Sequence, residues 1–168
     1  MVKETARDYI VDAFRFYSVL KRPNAASARK KADSYLLNWE GSGHFGPEDA
    51  SPLISLETLK TNLDAELADV QAVENTLRIL RARPEGREIL RAIETVYFFS
   101  PHSPQAKRDI TDRVRCASLE IPVSERTIYY YLSLARKIFA QQRGLRTEQK
   151  KNTIGLADIL SKNHSKKR

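Results

Sequence analysis

The stretch EIPVSERTIYYYLSLARKIFA, residues 120–140, decides how this chain is read. Pro122 disfavours helical backbone in the residue before it, and Ser124 offers a side-chain oxygen to the first free amides of whatever helix follows. One helix therefore ends near Leu119, a second starts after Ser124, and a tight turn joins them. In the second helix Ile128, Tyr131 or Leu132, Ala135, Ile138 and Phe139 recur at core spacing. Its other side carries Glu125, Arg126, Tyr129, Tyr130, Ser133 and Lys137, a set rich in groups that bind DNA. Two helices around a short turn, the second with such an outer face, predict a helix-turn-helix.

The N-terminal turn of a recognition helix enters the major groove. Glu125 and Arg126 are therefore the expected base readers, arginine for guanine and glutamate for the cytosine amino group. Ser124 caps the helix. Thr127, Tyr129, Tyr130 and Ser133 are expected to reach phosphates, thymine methyls or neighbouring base edges, and Arg136, Lys137 and Arg143 to hold the helix on the backbone. Tyr131 reads as core rather than contact.

With these residues in view, VSERTIYYYLSLARK, residues 123–137, resembles the recognition helix of region four of bacterial sigma factors, whose pattern is Ile/Val-Ser-x-x-Thr-Ile/Val, a variable stretch, then Leu-x-x-Ala-Arg-Lys. Upstream, RPEGREIL at residues 83–90 resembles the Leu-Pro-x-x-x-Arg-x-Val/Ile-Leu start of that region. Among small proteins that are not sigma factors, the chain is similar to the RinA and ArpU type transcriptional regulators of phages of Gram-positive bacteria. That resemblance implies an activator of late or packaging genes, acting on double-stranded DNA in the bacterial cytoplasm, with host RNA polymerase as an expected further partner. It covers residues 83–142 and leaves the first eighty unassigned. A small terminase subunit or another DNA-binding packaging component is the alternative, and a protein-interaction module with a vestigial helix-turn-helix a third.

Charge is distributed to match. The chain carries a formal net +8, yet residues 1–100 hold 14 Lys+Arg against 15 Asp+Glu, a net of −1, and residues 101–168 hold 15 against 6, a net of +9. The excess that would meet a polyanion thus lies wholly in the C-terminal part.

Outward from this segment every signal is helical, so an all-α chain is expected. Residues 1–40 read as a helical hairpin: Tyr9, Ile10, Ala13, Phe14, Phe16, Tyr17 and Leu20 share one face, and a second helix opens after Asn24 as N-cap. Residues 41–55, rich in Gly, Ser and Pro, read as a linker. Over residues 56–82, Leu59, Leu63, Leu67, Val70, Val73, Leu77 and Leu80 form nearly a heptad stripe. That stripe needs a partner, either a second copy in a homodimer through the Leu56–Leu80 helix or the chain's own N-terminal helices. Residues 83–142 are the expected DNA-binding domain, opened by Pro84 in a first helical turn, with a further helix from Ser103 and Pro104 through Cys116 or Leu119. Residues 143–168 form a basic tail.

Catalysis is not expected. His44, His102 and His164 lack metal-ligand spacing, and there is neither a phosphate-cradling glycine loop nor an activated nucleophile, so no cofactor or metal is expected. The single cysteine, Cys116, has no partner for an internal disulfide and reads as a small core residue. No apolar run approaches a membrane span, and the chain is expected to be cytoplasmic with no membrane partner.

Overall fold

A computed structural model describes residues 2–39 and 56–145. The expected linker and the basic tail from Arg146 onward lie outside the described residues. Within them the protein is all-α: α1 spans Val2–Val19, α2 Ala25–Leu37, α3 Leu56–Arg81, α4 Gly86–Val96, α5 Ile110–Glu120 and α6 Glu125–Arg143, with a 3₁₀ turn at Pro104–Lys107 between α4 and α5. None of these helices is long and apolar enough to cross a membrane.

Short polar side chains set where the helices begin. Asn24 accepts a hydrogen bond from the Ser27 amide, Asp109 from the Asp112 amide at 2.8 Å, and Ser124 from the Thr127 amide at 3.1 Å, each satisfying a donor that the first helical turn leaves open. The Asp109 cap explains one departure from the sequence expectation. The segment after Ser103 is not one helix: Pro104 opens only a 3₁₀ turn, and α5 starts afresh at Ile110. The α4 start also differs, since Pro84 lies in the turn and α4 begins at Gly86, which is fully enclosed against the end of α3. A Cβ on Gly86 would sit 2.6 Å from the Leu80 carbonyl oxygen and 2.7 Å from that of Arg81, so the turn closes only around a residue without one.

Two helices end in the same motif with different residues at its critical point. At the end of α6 the Leu145 amide bonds the Ala140 carbonyl and the Gly144 amide that of Gln141, with Gly144 left-handed at φ 65°. At the end of α1 the Arg22 amide bonds Tyr17 and the Lys21 amide bonds Ser18, but the left-handed positions are Lys21 at φ 60° and Arg22 at φ 52°. A side chain in that region is strained where glycine is not.

Packing centres on α3. Its buried positions Val70, Ala72, Val73, Thr76 and Leu80 are covered by α1, α4 and α6, and the Thr76 hydroxyl is satisfied by the Ala72 carbonyl at 2.7 Å. The C-terminal half of the leucine stripe is thereby used within the chain, while Leu59, Leu63 and Leu67 are half-buried. The expected N-terminal hairpin does not form as a packed pair. Both α1 and α2 rest on α3 instead, α2 held by Arg29 to Asp64 at 2.6 Å and by the Ala25 amide to Glu74 at 2.9 Å.

One hydrophobic cluster runs from Ile10 of α1 to Ala140 of α6, so no break in the core falls at residue 83. Phe14 is fully buried, its ring 5.5 Å from that of Tyr97 and 5.6 Å from that of Phe139, and Tyr17 lies 5.8 Å from Phe98. Burial, aided by the charge of Glu74, pushes the Tyr17 hydroxyl pKa up.

Two substitutions test this backbone account by urea denaturation. Gly86→Ala is expected to destabilise the protein by about 1–3 kcal/mol because carbonyl groups must move. Lys21→Gly is expected to stabilise it by about 1 kcal/mol by relieving left-handed strain; a loss of stability would contradict the strain argument.

Candidate nucleic-acid interface

Helix α6 is divided along its length. Ile128, Tyr131, Leu132, Ala135, Ile138, Phe139 and Ala140 are buried, facing α3, α4 and α5. Glu125, Arg126, Tyr129, Tyr130 and Lys137 are exposed and Ser133 is half-exposed. At 100° per residue, Arg126, Tyr129, Tyr130, Ser133 and Lys137 fall on one continuous strip more than two turns long. The tyrosines matter most here: Tyr129 and Tyr130 leave 39% and 54% of their surface in solvent, whereas their neighbour Tyr131 leaves 7%. Burial first, then the charges of Glu88 and Glu85, raises the Tyr131 pKa. The run of three tyrosines thus divides into two outward rings and one core ring.

The cap occupies two of the expected contacts. Ser124 Oγ receives the Thr127 amide and lies 2.9 Å from Thr127 Oγ1, so both hydroxyls serve the helix start. They fix the backbone on which Glu125 and Arg126 project. Glu125 is not isolated: its Oε1 lies 3.7 Å from Nε of Arg115, which also lies 3.7 Å from Asp112. These ion pairs are well exposed and contribute little to stability, but they place a guanidinium of α5 at the start of α6.

Arg115 was not singled out in the sequence. The signal for it was periodicity, since Thr111, Arg115 and Leu119 recur every four residues opposite the buried Val114 and Ala117, and all three are exposed. Cys116, on the adjoining face, is half-buried rather than part of the buried core, with Arg108 Nη1 donating to its Sγ at 2.5 Å.

Two of the expected backbone contacts are engaged inside the protein. Half-buried Arg136 donates from Nη1 to the hydroxyl of buried Tyr97 at 2.9 Å, tying α6 to the end of α4. Arg143 sits at the far end of α6, its Nε 2.6 Å from Asp69 Oδ1 and its Nη2 donating to the Tyr9 hydroxyl at 3.3 Å, while Tyr9 donates to the same Asp69 oxygen at 2.6 Å. This cluster joins α1, α3 and α6. Its hydrogen bonds to Tyr9 and Asp69 push the Arg143 pKa up, and burial, reinforced by the bond to Asp69, raises that of Tyr9. The structure therefore gathers Glu125, Arg126, Tyr129, Tyr130, Ser133 and Lys137 on one surface and leaves Arg136 and Arg143 as tertiary ties.

Among the described residues no group of three or more His, Cys, Asp or Glu side chains is placed to hold a metal ion. No protein-family model matches the chain, and no curated protein or solved structure does.

The two roles of Arg143 are separable. Arg143→Ala is expected to lower stability by about 1–3 kcal/mol, because Asp69 loses its ion pair and keeps only the Tyr9 hydroxyl, with the salt dependence of any DNA binding by the folded variant unchanged. A backbone contact would instead lower the log–log salt slope by about 0.9.

Proposed function

We propose that the chain is a sequence-specific DNA-binding regulator of transcription that reads the major groove with α6. The observation that carries this reading is the outer strip of α6, where a cap at Ser124 presents Glu125 and Arg126 in the first turn and two exposed tyrosines follow. Tyr130 packs its ring against Tyr131 at 6.1 Å, but the solvent-facing surface of Tyr129 and Tyr130 is not used by the fold; against thymine methyls, sugars or base edges it gains contact area. Among the described residues Arg126 has no ion-pair or side-chain hydrogen-bond partner, and it is available for bidentate recognition of guanine. Arg115 beside Glu125 adds a positive group at the rim, and Lys137 extends the strip toward the backbone.

The resemblance of residues 83–142 to sigma region four and to RinA and ArpU type regulators supports a more particular role, activation of late or packaging genes of a phage or prophage, with host RNA polymerase as the second partner. Residues 1–77 hold 9 Lys+Arg against 12 Asp+Glu, a net of −3, which fits a division of labour in which α1 and α2 hold the reading helix rather than bind DNA themselves.

The test begins by selecting bound fragments from a digest of the source genome, which yields the site. On that site Arg126→Ala is expected to weaken binding by about 1–3 kcal/mol and to relax preference at one base pair. An isotherm identical to that of the unaltered protein would remove Arg126 from the reading surface, and a chain that retains no DNA at low salt would end the proposal.

A further inference from the structure

Positive charge also collects away from α6. Five arginines, Arg78, Arg81, Arg83, Arg87 and Arg91, fall within fourteen residues at the end of α3 and the start of α4. Two have carboxylates beside them, Arg78 at 3.7 Å from Glu74 and Arg83 at 3.7 Å from Glu85. Arg81, Arg87 and Arg91 are exposed and have no ion-pair or side-chain hydrogen-bond partner among the described residues. The α3–α4 turn forms an open groove of about 600 Å³ lined by Arg81, Arg83, Pro84, Arg87, Glu88 and Leu90. Nε of Arg83 is buried there with no partner.

The placement of this cluster relative to α6 follows from two contacts. Thr95 Oγ1 lies 3.2 Å from Glu120 Oε2 at the helix-turn-helix turn, and the Tyr97 hydroxyl at the end of α4 accepts from Arg136 in the fourth turn of α6. Helix α4 therefore packs against both α5 and α6 along its Gly86–Val96 stretch. Buried Ile89, Ala92 and Ile93 turn Arg87 and Arg91 to the solvent side of that stretch. They are one helical turn apart, about 6 Å along the axis, which suits successive groups of a linear polyanion. A protein that places one helix in a groove has a phosphate strand on each side of that helix.

We infer that Arg81, Arg87 and Arg91 form a second DNA contact that takes phosphates of the strand flanking the groove entered by α6. This rests on the reading of α6 as the recognition helix. It adds affinity and orientation without base preference, because planar guanidinium groups bind phosphate oxygens irrespective of sequence. The three side chains have no role in the core, so their removal leaves the fold intact.

The experiment compares the full chain with the variant Arg81→Ala, Arg87→Ala, Arg91→Ala, binding a labelled duplex of arbitrary sequence and about 30 base pairs across a salt series. Thermal denaturation of both confirms equal folding, and Arg87→Glu is a second, charge-reversing variant. The expected result is a log–log salt slope smaller by about 2–3 in the triple variant, with weaker binding still in the reversal than in Arg87→Ala. Preference among sequences, read on fragments selected from the source genome, should stay as in the unaltered protein. An unchanged slope, with the unaltered protein binding DNA normally, overturns this inference alone and leaves the arginines facing an acidic protein surface. Failure of the unaltered protein to bind any duplex overturns the α6 reading and this inference together.

Discussion

The ring of Phe14, wholly buried between Tyr97 at the end of α4 and Phe139 near the end of α6, is the contact on which the arrangement depends. A helix-turn-helix can act as a rigid reader only if its second helix is held from behind, and in this chain the hold comes from the N-terminal helix as much as from α4 and α5. Burying one phenylalanine is worth about 1.5–3 kcal/mol, and each tilted aromatic pair adds about 0.5–1.5 kcal/mol. Those magnitudes are large beside the stability of a small domain. Helix α3 supplies the spine to which both halves attach, and the Tyr9–Asp69–Arg143 cluster closes the structure at the far end of α6. Anchored near its end by Phe139 and Arg143, α6 is left with one free strip.

The constraint explains the distribution of polar chemistry on α6. Residues on the inner flank are apolar or, like Arg136, spend their polar groups on a buried partner. Residues on the outer strip have no such partner. Glu125 is the exception, and its partner, Arg115, belongs to the same outer surface. The surface is thus a joint product of α5 and α6, with the turn at Ile121 and Pro122 setting their relation. Ile121 is buried to 1% exposure, which fastens that turn to the core.

The helical periodicity of residues 120–140 was legible because a cap, a proline and an apolar repeat agree there, and the structure places the buried residues of α6 where that repeat put them. Caps at Asn24 and Ser124 were legible for the same local reason. What could not be read were relations between distant segments. Nothing local to Phe14 says that its partners are Tyr97 and Phe139, and nothing local to Arg143 says that Asp69, seventy-four residues away, will claim it. The packed hairpin expected of α1 and α2 failed because two amphipathic helices in succession bury their faces as well on a third helix as on each other. The chain leaves α1 through left-handed Lys21 and Arg22, a conformation that sequence composition does not announce.

The most direct test is a two-dimensional amide NMR titration of the full chain with a duplex recovered from its source genome. The account predicts that signals of residues 124–137 on the outer strip, together with Arg115, shift or broaden as DNA is added, while those of buried Ile10, Phe14 and Val73 hold their positions. Saturable binding with the α6 signals unmoved would contradict it, since the DNA would then lie on some other surface of the protein.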